Sequence, residues 1–197
     1  MPTPLLHSFN GLVFFWANKK KPTAGNNLYP WGQLLVFLVL ANLPDIDLVP
    51  RLFLGIPVQH GVFTHSLLFS FIVAILVGSW HKRRLSFALI AFLLVVSHLI
   101  LDFFTGERLG FHPSWGIPWL YPFYKEHFTS PLTLFLGTKK RTLAHLFCWQ
   151  NLVAVLYELC LVGLILALWW LLFRQVRPLT ALLSRKPRKS QPSHEMK

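Results

Sequence analysis

The segment Ser97–Asp102 reads S-H-L-I-L-D, with a histidine and an aspartate four residues apart. On a helix that spacing puts both side chains on one face, about one turn apart. An imidazole nitrogen and a carboxylate oxygen placed there can share a metal ion; a plain His98–Asp102 hydrogen bond closing a helix end fits the same spacing. Upstream, Leu43–Pro50 reads L-P-D-I-D-L-V-P. Pro44 and Pro50 resist a continuous helix through it. If the stretch is extended, Asp45 and Asp47 point the same way, and two neighbouring carboxylates call for a cation. If it is helical they diverge, and one becomes an N-cap. A third segment, His60–Ser66, reads H-G-V-F-T-H-S. Five residues separate its histidines by about 140° on a straight helix. His60 is therefore expected in a loop and His65 in the first turn of the next helix, with Thr64 or Ser66 placed to orient an imidazole.

Two more groups join these. His7 lies in the first apolar run and is a candidate ligand. Glu158 is the lone acid of the last apolar run, two turns beyond Asn151 on the same helix face. A carboxylate at membrane depth needs a partner or a task, so Glu158 reads as a ligand, a hydrogen-bond acceptor or a general acid/base. His112, His127 and His145 fall in or beside a long connection, while His81 and His194 sit in basic segments without such company.

The elements that hold these residues must be membrane helices. Hydrophobic types make up 54% of the 197 residues and charged types 13%, and the mean hydropathy is +0.50. A soluble domain carries about a quarter charged residues, so this composition excludes a soluble globule, a disordered chain and a fibrous repeat. Five apolar stretches can be read: Leu5–Ala17, Trp31–Leu43, Gly61–Trp80, Leu85–Phe104 and Leu146–Phe173. The last three reach the length of about twenty residues that a crossing helix needs, while the first two are re-entrant, half-buried or extended by flanking residues. The expectation is an all-α polytopic helical membrane bundle of about four to five segments, with a metal site at the outer end of its helices. Residues 1–180 form a single domain and 181–197 a basic disordered tail. Cys148 and Cys160 are too far apart on one helix, roughly 18 Å, to pair, and serve packing.

The net charge of +12 fits the same frame. Much of the excess lies in Lys19–Lys21, Lys82–Arg84 and the tail from Arg174, each beside an apolar run. That is the positive-inside pattern, and it assigns the charge to topology and to anionic lipid at the cytoplasmic face rather than to nucleic acid. With the C-terminus cytoplasmic, Asp45, Asp47, His60, His65, His98 and Asp102 all fall at the outer ends of apolar runs. The exception is Lys139–Lys140–Arg141, which lands on the outer side. The connection from Thr105 to His145 is rich in Pro and aromatics, as suits an interfacial segment.

Three histidines and three aspartates at one membrane face form an N/O ligand set without cysteine. Such a set suits a divalent ion, zinc first, with manganese or iron as alternatives, and its size allows one to three ions. A site of this kind lowers the pKa of bound water and clamps the attacking and leaving oxygens of phosphoryl transfer.

The order L-P-D-I-D, H-G-V-F-T-H-S, then S-H-L-I-L-D-F-F-T-G and a later Y-P-F resembles the YdjM-like family of inner-membrane, metal-dependent hydrolases, a family similar in turn to zinc phospholipase C. The motifs run from His7 to Phe123. The resemblance implies that His7, Asp45, Asp47, His60, His65, His98 and Asp102 are metal-site residues. Two positions depart from it: Gly61 and Val62 stand where the family has Arg and Gly, and the late His/Glu pair of the phospholipases is represented by Glu158 alone. The expected activity is metal-activated hydrolysis of a phosphoester in a lipid or lipid-linked substrate, with Asp47, His65 and Glu158 as catalytic residues. The aromatic connection (Trp115, Trp119, Tyr121, Phe123, Tyr124) would form a lipid-facing rim, and Arg51, Arg108 or Lys125 would hold a phosphate. The expected location is a bacterial-type inner membrane, multi-pass, with the active site toward the outer face. Two rival readings share the same residues: a metal-ion or solute transporter, and a non-catalytic membrane protein with a structural metal site. Oligomeric state has no signature in the sequence.

Overall fold

A computed structural model describes residues 1–18, 30–56, 59–80, 84–105, 116–140 and 142–183. Lys19–Lys21, His81–Arg83, Arg108, His112, Trp115, Arg141 and residues 184–197, with His194, lie outside the described residues. The helices are α1 (Pro4–Asn18), α2 (Pro30–Asn42), a 3-10 helix (Leu43–Asp47), α3 (Leu48–Leu54), α4 (Leu67–Trp80), α5 (Arg84–Phe103), α6 (Leu143–Leu146) and α7 (Trp149–Leu183). Among the described residues there is no strand, only the isolated bridges Thr105–Phe135 and Ile117–Phe128. Residues Met1–Leu159 pack as one unit; Cys160–Lys197 form a second.

Three stretches are long and apolar enough to cross a membrane: Trp31–Leu54, Arg84–Phe103 and Trp149–Leu172. Only 33%, 33% and 11% of their apolar windows are buried inside the molecule, so most of that apolar surface requires lipid rather than water around it. Two boundaries differ from those read in the sequence. The second run does not end at Pro44 but continues through a 3-10 turn into α3. Pro44 falls at the start of the 3-10 helix and Pro50 in the first turn of α3, where the missing N–H costs nothing. The third run, expected to be helical from near Gly61, becomes α4 only at Leu67. The Ser66 hydroxyl accepts from Phe69 N at 3.1 Å and so caps the helix there. That leaves α4 a 14-residue apolar helix, roughly 21 Å long and short of a full crossing.

The core explains how the site is assembled. Ala91, Leu94, Val95, His98, Leu99 and Asp102 are the buried residues of α5. They recur every three or four positions, so the apolar stripe facing the core runs directly into the histidine and aspartate of its last turns. On α1 the buried positions include His7, Gly11 and Phe15, again one stripe. Helix α2 packs on both α1 and α5, and α4 on α5. Phe37, Ala41, Leu94 and Leu99 fill the space between them.

Glycine permits two close approaches. A Cβ on Gly78 would stand 2.7 Å from Ala88 Cβ, and one on Gly11 would stand 2.9 Å from the Phe37 carbonyl oxygen and 3.1 Å from Ala41 Cβ. Gly11 thus lets α1 rest against α2 one turn from His7. Gly11→Val is expected to destabilise the protein by about 1–3 kcal/mol through overpacking, read as earlier thermal unfolding in detergent.

Candidate metal centre

Four side chains from three places in the chain converge. Asp45 comes from the 3-10 helix, His65 from the turn before α4, and His98 and Asp102 from the end of α5. One ligand atom from each lies within 4.8 Å of every other. His65 Nε2 is 3.0 Å and His98 Nε2 3.4 Å from Asp102 Oδ2. The same two nitrogens are 3.8 and 3.9 Å from Asp45 Oδ1. Ligands at about 2.0–2.1 Å from a tetrahedral ion sit about 3.3–3.4 Å from one another, and the four distances bracket that value.

The protonation of the two imidazoles follows from what their other nitrogens touch. His98 Nδ1 lies 2.7 Å from the Ala41 carbonyl oxygen. A carbonyl only accepts, so Nδ1 carries the proton and Nε2 presents a lone pair. Thr64 donates its hydroxyl proton to Asp47 Oδ2 at 2.8 Å. Its oxygen is then free to accept from His65 Nδ1, 3.0 Å away, which again leaves Nε2 as a lone pair. Burial lowers the His65 pKa from its ordinary value, favouring the neutral, metal-binding form. Lone pairs on both Nε2 atoms therefore face carboxylate oxygens across gaps of 3.0 to 3.9 Å. Asp45 Oδ1, His65 Nε2, His98 Nε2 and both oxygens of Asp102 are buried without a hydrogen-bond partner. Leaving such atoms unsatisfied costs about 1–3 kcal/mol each, and acceptors facing acceptors repel. A cation at their common centre removes the cost for all of them, so the donor set fits a divalent metal ion.

The other sequence candidates surround this group. His7 stacks on His98, ring centroids 3.7 Å apart, with Nε2 3.4 Å from Asp102 Oδ1. His60 Nε2 is 3.6 Å from Asp45 Oδ1, while its Nδ1 pairs with Asp47 Oδ1. Asp47 does not face the four. Its Oδ2 accepts from Gly61 N at 2.9 Å and from Thr64, so its carboxylate ties the 60–64 loop down and orients His65 through Thr64. The two aspartates of L-P-D-I-D lie in a 3-10 helix rather than an extended segment, and both reach His60, Asp47 at Nδ1 and Asp45 3.6 Å from Nε2. Glu158 accepts from the backbone N–H of Thr3, at 2.9 Å to Oε1 and 3.2 Å to Oε2, and from the Thr3 hydroxyl. It fastens the segment before α1 to α7 and is not one of the four.

Three contributors carried little or no signal in the sequence. The Ala41 carbonyl has no side chain to betray it. Lys140, part of the triplet that broke the charge pattern, is buried with Nζ 3.0 Å from Asp45 Oδ2. Burial alone would depress its pKa, but the carboxylates of Asp45 and Asp102 outweigh that and hold it above its ordinary value. Asn151 of α7 clamps the neighbouring backbone, accepting from Lys139 N at 2.8 Å and donating to Lys139 O at 3.0 Å.

The connection after α5 closes over this end of the helices. Leu67 N donates to Trp119 O at 2.9 Å, and Leu134 N to Phe104 O at 2.8 Å. A cavity of about 610 Å³ remains between the connection and the centre, lined among others by Arg51, His60, His65, Asp102 and Lys140. Of the aromatic rim, Phe123 and Tyr124 are exposed, whereas Trp119 packs edge-on against Phe103 at 5.9 Å. Exchanging Thr64 for Val removes the acceptor of the His65 Nδ1 proton while keeping shape. Metal affinity is expected to fall about 10–100-fold and to return with Thr64→Ser, as measured by competition with a chromogenic chelator.

Apolar helices open to lipid, enclosing a buried His/Asp centre, define a polytopic membrane protein with a site able to hold a metal ion. The chain belongs to the YdjM inner membrane protein family, which matches residues 1–178. It is 34% identical over 116 residues to the inner membrane protein YbcI of Escherichia coli (strain K12), a match spanning 54% of this chain and 63% of that protein. No solved structure matches.

Proposed function

We propose that this protein is a membrane-bound metal-dependent hydrolase that cleaves a phosphoester of a lipid or lipid-linked substrate. The observation that carries the reading is the set of buried, partnerless acceptor atoms of Asp45, His65, His98 and Asp102, opening on a cavity of about 610 Å³. A divalent ion held by these residues would supply an acidified water and a polarised ester, the chemistry such ions bring to phosphoryl transfer. Zinc suits the N/O donors best, with manganese or iron as alternatives. His60 borders the cavity with Nδ1 held by Asp47 and Nε2 2.7 Å from Met1 Sδ; once substrate displaces the Met1 side chain, Nε2 would take a proton from the attacking water. As the new P–O bond forms and the ester P–O bond breaks on the far side of phosphorus, the leaving alkoxide takes a proton from water in the open cavity, and His60 later releases its own to solvent. The apolar flanks and the exposed Phe123 and Tyr124 suit a substrate delivered from the bilayer. In the sequence, Lys19–Lys21 come directly after α1 and Lys82–Arg84 fall between α4 and the body of α5, a positive-inside pattern that supports a pocket on the outer side of an inner membrane.

A screen of phosphoesters with purified, lipid-reconstituted protein tests the reading. Turnover is expected with metal, and none after chelation or in Asp102→Asn. His60→Gln is expected to lower kcat about 10²–10⁴-fold while the metal content stays unchanged. Absence of turnover on every lipid and soluble phosphoester tried, in metal-loaded protein, would leave the site a structural one.

A further inference from the structure

We infer that the centre takes one metal ion rather than two, and that the ammonium of Lys140 stands where a second cation would, forming with that ion the binding site for an anionic phosphate oxygen. The inference rests on the hydrolase reading above and specifies its substrate contact.

Asp45 carries it. Its Oδ1 faces His65 and His98 at 3.8 and 3.9 Å, while its Oδ2 accepts from Lys140 Nζ at 3.0 Å. A carboxylate divided in this way is the arrangement by which paired metal ions about 3.5–4 Å apart are bridged. Here one of the two positions is filled by a side chain that the protein cannot lose. The charge count agrees. Asp45 and Asp102 contribute two negative charges, which one divalent ion cancels; Asp47 is committed to His60. Lys140 then leaves one net positive charge among these groups, and Arg51 and Glu126, one of each sign, line the rest of the cavity. A second divalent ion would add two further positive charges to a buried space with no free carboxylate of the centre to meet them.

Lys140 is also held in place. Its side chain is 9% exposed, and Asn151 grips the backbone N–H and carbonyl of Lys139 from α7. Thr138 N donates to Met1 O at 3.1 Å on the other side. A preorganised ammonium beside a metal position binds an oxyanion present in the ground state, as a phosphate carries, whereas a carboxylic ester offers one only in its tetrahedral intermediate. The ligand class is thus an ester or free form of phosphate, whether a lipid headgroup or a soluble molecule.

The full chain in detergent, loaded with cobalt(II), provides the test. Metal content is measured by elemental mass spectrometry, and the visible spectrum is followed during titration with inorganic phosphate or with short-chain phosphatidic acid. One metal per chain is expected. Lys140→Gln should keep that metal and bind inorganic phosphate at least about tenfold more weakly, the loss of one charged hydrogen bond, while Lys140→Arg should bind it nearly as the parent does. A stronger response to phosphatidic acid supports the site as a headgroup site, and a stronger response to inorganic phosphate supports it as a soluble-phosphate site. Two metals per chain in the parent protein, or an unchanged phosphate affinity in Lys140→Gln, overturns the inference while the hydrolase reading stands. Metal loss in both lysine variants overturns it too, since the lysine would then serve only to support Asp45. A parent protein that takes up no metal overturns the hydrolase reading itself and this inference with it.

Discussion

Asp102→Asn is expected to empty the metal centre, with metal per chain falling from near one to near zero after dialysis and affinity dropping by more than about 100-fold. The bound is conservative, because altering a mere neighbour of a ligand already costs about 10–100-fold. Asp102 is the hub of the cluster: Oδ2 faces both His65 and His98, and Oδ1 faces His7. Asparagine keeps the volume and removes the charge. Its NH2 group would also donate into the lone pairs on His65 or His98 Nε2, satisfying acceptors that in the parent protein have no partner. The variant should therefore fold and insert normally, so that metal loss reports ligation rather than collapse. His98→Ala is the companion change. It removes a ligand and frees the Ala41 carbonyl, and it should lose metal as completely while unfolding somewhat earlier from the cavity it leaves. Elemental analysis of the purified variants checks both. Parent-like metal content in the two together would remove the basis for a metal centre.

Much of this centre is written locally in the chain. His98 and Asp102 are four apart inside a long apolar run, and a helix has no choice but to present them together. Their place on the core stripe of α5 follows from the same period as Ala91, Leu94 and Val95. Membrane character follows from composition alone, since an apolar surface of this extent has no aqueous solution. His60 in a loop is legible from the mismatch between a spacing of five and the helical repeat, whereas His65 lies in the turn before α4 rather than in its first turn, and the choice of Thr64 over Ser66 as its partner is not legible in the spacing. Other features depend on contacts that no window of sequence contains. Whether Asp45 and Asp47 sit in extended or 3-10 backbone is a choice that Pro44 and Pro50 leave open. The start of α4 was set by a single serine cap at Ser66, which a run of apolar residues masks. Lys140 looked like an exception to a charge rule because its partner Asp45 lies 95 residues away. The polarity of Glu158 marks it as engaged, but its partners are the backbone N–H and the hydroxyl of Thr3, 155 residues away, a pairing that no window of sequence contains. Side-chain chemistry at helical spacing can be read; the long-range pairing of irregular segments has to be seen.

Removal of the metal is expected to lower the thermal midpoint of the parent protein by roughly 5–10 °C. An ion present at about one hundred times its dissociation constant stabilises the folded state by about 2.7 kcal/mol, and in a chain of this size each kcal/mol moves the midpoint by about 2–4 °C. The direction follows from the contents of the centre. Without a cation, the carboxylates of Asp45 and Asp102 share a buried space with the lone pairs of His65 and His98, and Lys140 can satisfy only Asp45. Folding around such a cluster is opposed by every acceptor left without a donor. The effect is expected to be reversible, because α5, which carries His98 and Asp102, is held independently of the ion by Ala91, Leu94, Val95 and Leu99 in the core. Unfolding followed by tryptophan fluorescence in detergent, with chelator and then with excess zinc, measures it. Asp102→Asn supplies the control: having no metal to lose and an amide in place of a carboxylate, it should unfold at one temperature whether or not chelator is present. A parent protein whose midpoint stays the same after chelator has stripped its metal would mean that the ion sits somewhere other than among Asp45, His65, His98 and Asp102.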